Sequence, residues 1–361
     1  MSCGASLYKH HEVSIVGHGP QIERSRLITH CYDSSYTKGE KLISLLEKQH
    51  FDVLLPISDL TVPFASQNKM EIERRFGVKC AVADYQQVCQ VSDKSLFMSF
   101  CKDKGIPHPD TCSLSEGEIE RAALEVGFPA LIKPDFSVGA RGITRVNSFE
   151  ELCQKLPVIQ SRFGSCSLQE LIDNLDYYYN VMLYRSKDGR IISSAVIKIV
   201  RMYPIAGGSS SCCISVENEE LTSICADCLD KIGWVGMADF DVLQRLDTKE
   251  YKIIEINPRV PASLRAAAIS GVNFPEIIVN DTMGLEVPTY HYSPGKTMRY
   301  LGLDIMWFLQ SPQRFKANPS WFKFLGHNIY YQDIYKEDPS TWWTWLSEGI
   351  KKIGNRNKRL R

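Results

Sequence analysis

Several features are scarce or missing in this 361-residue chain, and each absence removes a class of protein. No apolar run approaches the roughly 18 residues that a membrane-crossing helix needs. Positive charge is not in excess, because 42 Lys and Arg stand against 42 Asp and Glu, so composition gives no case for general nucleic-acid binding. Twelve cysteines are present, but without disulfide or zinc-ligand spacing. The C-x-x-C of Cys225 and Cys228 lies within LTSICADCLDKIG, whose apolar residues repeat at helical spacing, so the thiols read as reduced and mostly buried. The opening MSCGASLY is too polar for a secretory signal. With 44% hydrophobic residues the chain can bury its own core without covalent staples, and a cytoplasmic location is expected.

What is present is most informative at residues 251–259, YKIIEINPR. Side chains two apart on a strand share a face, so Glu255 and Asn257 converge where a hard cation such as Mg²⁺ binds. Pro258 ends the ladder and Arg259 follows, a guanidinium suited to terminal phosphates. An ordinary strand-to-turn exit reads the same way in isolation. Residues 236–242, GMADFDV, add Asp239 and Asp241 on one face of a second alternating stretch. If the two runs pair across the turn at 244–250, Asp241 and Glu255 approach within about 5 Å. The alternative is a solvated acidic strand.

A phosphate-handling loop is offered by PALIKPDFSVGARGITRV, residues 129–146. Lys133 ends an apolar strand, and the SVGARG turn, with Ser137, Gly139 and Gly142, lets backbone lie close to phosphate oxygens. No Gly-Lys-Ser/Thr follows these glycines and no helix opens there, so this is not a P-loop.

Further motifs stand in order around these: SDKSLFMSFCKDKGIPHPDT at 92–111, FPALIKPDFSVGARGI at 128–143, SLQELID at 167–173, GMADFDV, IIEINPR, then AAAISGVNFPEII at 266–278. Taken together they resemble an ATP-grasp enzyme, in the branch similar to the carbamoyl-phosphate synthetase large subunit and the carboxylate–amine ligases, over roughly residues 90–285. The resemblance implies ATP and Mg²⁺, with Mn²⁺ as a substitute. It implies Lys94 and Lys133 as phosphate lysines, SVGARG as a mobile lid loop, and Gln169, Glu170 and Ile172 along the segment that holds adenine largely by backbone groups. Asp176 is the candidate for the ribose hydroxyls, although NLDYYYN departs from the family's usual Gly-Glu pair. Asp241, Glu255 and Asn257 match the metal ligands, and Arg259 the arginine that steadies the transferring phosphoryl group. Lys198, and less directly Arg201, match a basic residue before a glycine loop overhanging the site, with solvated surface bases as the alternative. Arg265 is the candidate for substrate-carboxylate recognition.

The implied fold is α/β: an N-terminal Rossmann-like parallel-sheet domain at 1–90, apparently without its first strand, an ATP-grasp domain at 91–305 and a C-terminal extension at 306–361. Within the ATP-grasp domain a small α+β lid is expected at about 108–170 and a larger α+β body at about 171–305. Asp93 is placed to cap a linker helix that Gly105 closes. The implied activity is ATP-dependent, ADP-forming ligation through an acyl phosphate. The alternatives are carboxylation through carboxyphosphate, and nucleotide sensing or scaffolding without turnover. Expected partners are small-molecule carboxylates and amines, a second copy of the chain in a homodimer, and no nucleic acid. The tail, with DPSTWWTWLSEGIKKIGNRNKRLR, suits a membrane surface or a partner protein, or simply packs on its own domain.

Overall fold

The computed structural model describes residues 1–340, apart from 18, 138–139, 175–176 and 206. The chain opens with the helix Ser2–Leu7, whose Leu7 packs with Val13 and Val279. Strand β1 (Ser14–Val16) pairs in parallel with β2 (His30–Tyr32), and β3 (Val53–Leu54) with β4 (Lys79–Cys80). The parallel arrangement expected for this region is therefore present, but as two separate ladders rather than one sheet. Pro56 follows β3 almost at once and offers no amide to extend it. Helices Gly39–Lys48 and Lys69–Phe76 accompany these strands.

Asp93 caps the helix Lys94–Lys104 by accepting from the Leu96 amide at 2.9 Å, and Gly105 ends it in the left-handed conformation (φ 63°). A four-stranded antiparallel sheet follows, in the order β5 (Thr111–Ser113), β8 (Cys166–Glu170), β6 (Ala130–Pro134), β7 (Thr144–Val146). Helices Ile119–Val126 and Phe149–Phe163 cover it, burying Leu114, Ile132, Leu152, Leu156 and Leu168 in a small core of their own. The second helix runs to Phe163, because Leu156 and Ile159 continue its apolar stripe.

The larger sheet has seven strands in the order β13-β12-β9-β10-β11-β14-β15. These are β9 (Tyr178–Arg185), β10 (Ile191–Tyr203), β11 (Ser209–Val216), β12 (Gly236–Gln244), β13 (Tyr251–Asn257), β14 (Thr297–Arg299) and β15 (Ile329–Tyr331). The helix Glu219–Ile232 covers one face, burying Cys225 and Cys228 against Val181, Phe240 and Ile253; both thiols are core residues, as their helical spacing indicates. Helices Leu264–Ile269 and Phe274–Met283 cover part of the other face beside Met182, Ile197 and Met237.

Beyond 305 the chain is built into this body rather than appended to it. Strand β15 extends the sheet, and Asp304, fully buried, sits between two buried arginines: Arg201 (2.7 and 3.0 Å) and Arg299 (2.7 Å). Arg201 reaches this triad because a bulge after Ile199 shifts its register. It is a structural cation of the interior and lies away from the acidic hairpin described next. The Trp-rich part of the tail, 341–361, lies outside the described residues.

Candidate active site

Strands β12 and β13 pair antiparallel as the alternation of the two runs requires, with Asp241 opposite Glu255 and Asp239 opposite Asn257. Opposed side chains of an antiparallel pair project to the same side. Asn180 of β9 stands opposite Asp241, donating its amide to Oδ1 and accepting from the Ser263 hydroxyl at 3.1 Å. Asn257 donates to Asp239 at 3.2 Å and accepts from Arg259 at 3.3 Å.

The two candidate lysines arrive from two other directions. Lys94, at the first position of its helix, places Nζ 3.4 Å from Glu255 and donates to the Ser137 carbonyl at 2.9 Å, so it joins the hairpin to the glycine turn. Lys133, buried near the end of β6, feels both Glu255 and Asp241; burial lowers its ammonium to about 8 against the pull of those carboxylates. Gly142 holds φ 78°, and a Cβ there would lie 2.8 Å from Phe163 and Pro134, so the turn tolerates no larger residue. Gly139 and Asp176 lie outside the described residues.

The carboxylates respond to their crowding. Burial, then Glu255, raises Asp241 to about 7, and burial with Asp241 pushes Asp239 well above the carboxylate range. One oxygen of Asp239 is buried without a hydrogen-bond partner. Among the described residues no three His, Cys, Asp or Glu side chains gather closely enough to hold a metal by themselves. The donor set is two carboxylates and an amide, oxygen only, which fits a small hard cation completed by water and phosphate rather than a closed protein cage.

The segment Gln169, Glu170 and Ile172 lies at and just beyond the end of β8. Gln169 is buried with its amide on the Thr111 hydroxyl (3.0 Å), and Ile172 is buried. Glu170 turns its side chain to Arg245, and the Leu246 amide donates to the Asp173 carbonyl at 2.8 Å. The lid-to-body connection is thereby clasped to the turn of the acidic hairpin.

Two candidates are not brought to this cluster. Lys198 pairs with Tyr179, one position out of phase with the Ile197–Asn180 pair, so it projects from the opposite face, with Nζ 3.5 Å from the centre of the Tyr177 ring. Arg265 stacks 3.6 Å over the Tyr335 ring and donates to the Ile334 carbonyl at 2.5 Å, a partner that arrives from the end of the chain. Conversely, the motifs did not indicate Asp59, which holds Arg259 through two contacts of 2.7 and 3.2 Å, or Asn180. A polar residue inside the apolar run YYNVMLY was the available signal for Asn180.

A small antiparallel sheet, a large sheet and carboxylates flanked by Lys94, Lys133 and Arg259 make up the candidate site. Residues 91–263 match the family model described as an ATP-grasp domain. The chain is 23% identical over 285 residues to the C-terminal section of the carbamoyl phosphate synthase large chain of Methanopyrus kandleri, covering 69% of this chain and 49% of that one. The chain thus spans less than half the length of such curated relatives. In fold it is similar to the biotin carboxylase of Campylobacter jejuni (TM-score 0.69, 17% identity, 81% of this chain and 70% of that one). It is likewise similar to the N5-carboxyaminoimidazole synthetase of Staphylococcus aureus solved with ADP (TM-score 0.64, 14% identity, 80% and 76%).

Proposed function

We propose that this protein is an ATP-dependent, ADP-forming ligase that activates a carboxylate as an acyl phosphate for capture by an amine. The observation carrying this reading is the meeting of Lys94, Lys133 and Arg259 with Asp241, Glu255 and Asn257 on one hairpin and its two neighbours. Lys94 and Lys133 bind and orient the triphosphate, and the SVGARG turn supplies backbone amides to it. Arg259, held by Asp59, stabilises charge on the γ-phosphoryl group as the substrate carboxylate attacks phosphorus and ADP departs. Asp241, Glu255 and Asn257 would hold a magnesium ion, which would neutralise charge on the triphosphate. The buried, partnerless oxygen of Asp239 beside these groups is consistent with that need for positive charge.

A second reading is carboxylation through carboxyphosphate with bicarbonate as the carboxylate. It is favoured by the likeness in fold to a biotin carboxylase and to N5-carboxyaminoimidazole synthetases. Incubation of the protein with ATP and Mg²⁺ against pools of carboxylates and amines, with and without bicarbonate, separates the two. Carboxylate- and amine-dependent ADP release supports ligation, and bicarbonate-dependent release supports carboxylation. ATP binding with no ADP from any pool leaves a nucleotide sensor.

A further inference from the structure

The helix Leu301–Gln310 presents an unusual outer side. Its sole charged residue, Asp304, is turned inward to Arg201 and Arg299, and Trp307 is also buried. Its exposed residues are Ile305, Leu309, the latter 64% exposed, and the uncharged Gln310 at its end. The next two loops add to this surface instead of covering it. Phe308, Phe315 and Phe322 form a mutually contacting group with ring centres 5.6–6.3 Å apart, and Phe315 and Phe322 are 71% and 57% exposed. Phe308 stacks in turn on Trp321 at 4.1 Å, which fixes the group to the body.

The charge around these rings has one sign. From Ile305 to Asn328 there is no Asp or Glu, whereas Arg314, Lys316 and Lys323 alternate with the aromatic residues, in a chain whose total charges balance. None of the three bases pairs with a carboxylate among the described residues, and Arg314 lies 5.2 Å from the centre of the Phe315 ring. A second copy of this face would bring like charges together. Residues 341–361 carry Lys351, Lys352, Arg356, Lys358, Arg359 and Arg361 against one acid, Glu348, so that segment also repels this rim. The complementary surface is both apolar and anionic. Aromatic and aliphatic side chains that enter a headgroup layer beside lysines and arginines are the recognised chemistry of an anionic bilayer surface.

We propose that the face built by Leu309, Phe315 and Phe322, with Arg314, Lys316 and Lys323 at its edge, docks the protein on a membrane containing anionic lipid. The docking is peripheral, since no helix among the described residues is long and apolar enough to cross a membrane. It does not depend on the ATP chemistry proposed above.

Flotation of the full chain with vesicles tests this. With phosphatidylcholine vesicles containing about 30% phosphatidylserine the protein floats; with pure phosphatidylcholine it stays behind, and about 0.5 M salt weakens the association. The double variant Phe315→Ser, Phe322→Ser lowers the partition about tenfold or more. Because those rings also pack on Phe308 and Trp321, the double variant Lys316→Glu, Lys323→Glu, which removes no packing, gives an independent arm and the same loss. Wild-type binding by both variants overturns the proposal, as does equal flotation on neutral and anionic vesicles. A dimer that dissociates in the Phe variant, without vesicle binding by the wild type, assigns the face to a second copy and also overturns it.

Discussion

Arg259 and Asp59 lie 200 positions apart in the chain, yet form a two-point ion pair, Nε to Oδ1 at 2.7 Å and Nη2 to Oδ2 at 3.2 Å. The guanidinium beside the acidic hairpin is thus aimed by the N-terminal region. Arg259→Ala is expected to lower kcat by about 10³-fold or more, as for other arginines that meet a transferring phosphoryl group. Asp59→Asn keeps the shape but loosens the aim, lowering kcat about tenfold with little change in KM for ATP. Because the pair is partly exposed, its stability cost is about 1 kcal/mol or less. Steady-state ADP release with thermal unfolding measures both.

Lys133 is a cation kept in the interior at a cost, since burial lowers its pKa to about 8. Lys133→Met is expected to raise KM for ATP about tenfold or more while the nucleotide-free protein melts higher, by about 3 °C. The sign follows from linkage. A lysine whose folded pKa is below its unfolded 10.5 destabilises fully below about pH 8 and progressively less up to 10.5. The advantage of Met therefore shrinks across that window. Equal melting curves at pH 7 would remove the buried-charge argument.

Asp241 and Glu255 face each other as like charges. Mg²⁺ with a non-hydrolysable ATP analogue is expected to raise the melting temperature, and chelation to abolish the rise. Asp241→Asn raises the Mg²⁺ concentration for half-maximal activity about tenfold or more. A metal titration unchanged by this substitution would remove Asp241 from the ligand set.

Arg201 and Arg299 depend on Asp304 for charge balance in a fully buried position. Asp304→Ala strands two guanidiniums and is expected to cost about 3–5 kcal/mol, read by denaturant unfolding.

Arg265 stacks on Tyr335 and donates to the Ile334 carbonyl. Arg265→Lys, which keeps the charge but loses the planar fork, is expected to leave kcat within about threefold and to destabilise by about 1 kcal/mol. A hundredfold fall in kcat at unchanged stability would return Arg265 to the catalytic set.

The parts of the site that were legible from sequence are those governed by local rules. Strand alternation placed Asp241, Glu255 and Asn257 on one face, and the residue type and position of Asp93 marked it as a helix cap. What escaped was decided by distant contacts. Lys198 and Ile197 differ by one position, and only the pairing with β9 tells which of the two faces the acidic side. Arg201 needed a bulge and a carboxylate 103 residues away. Arg265 needed Tyr335, and Asp59 sits in a loop with nothing local to tie it to Arg259.

The grip of Glu170 on Arg245, with the Leu246 amide on Asp173, ties the pivot of the lid to the very turn that joins β12 and β13. In the ligation proposed above, a swing of the small sheet would be felt directly by the loop whose two arms bear Asp241 and Glu255, so that the two ends of the cleft would move as one.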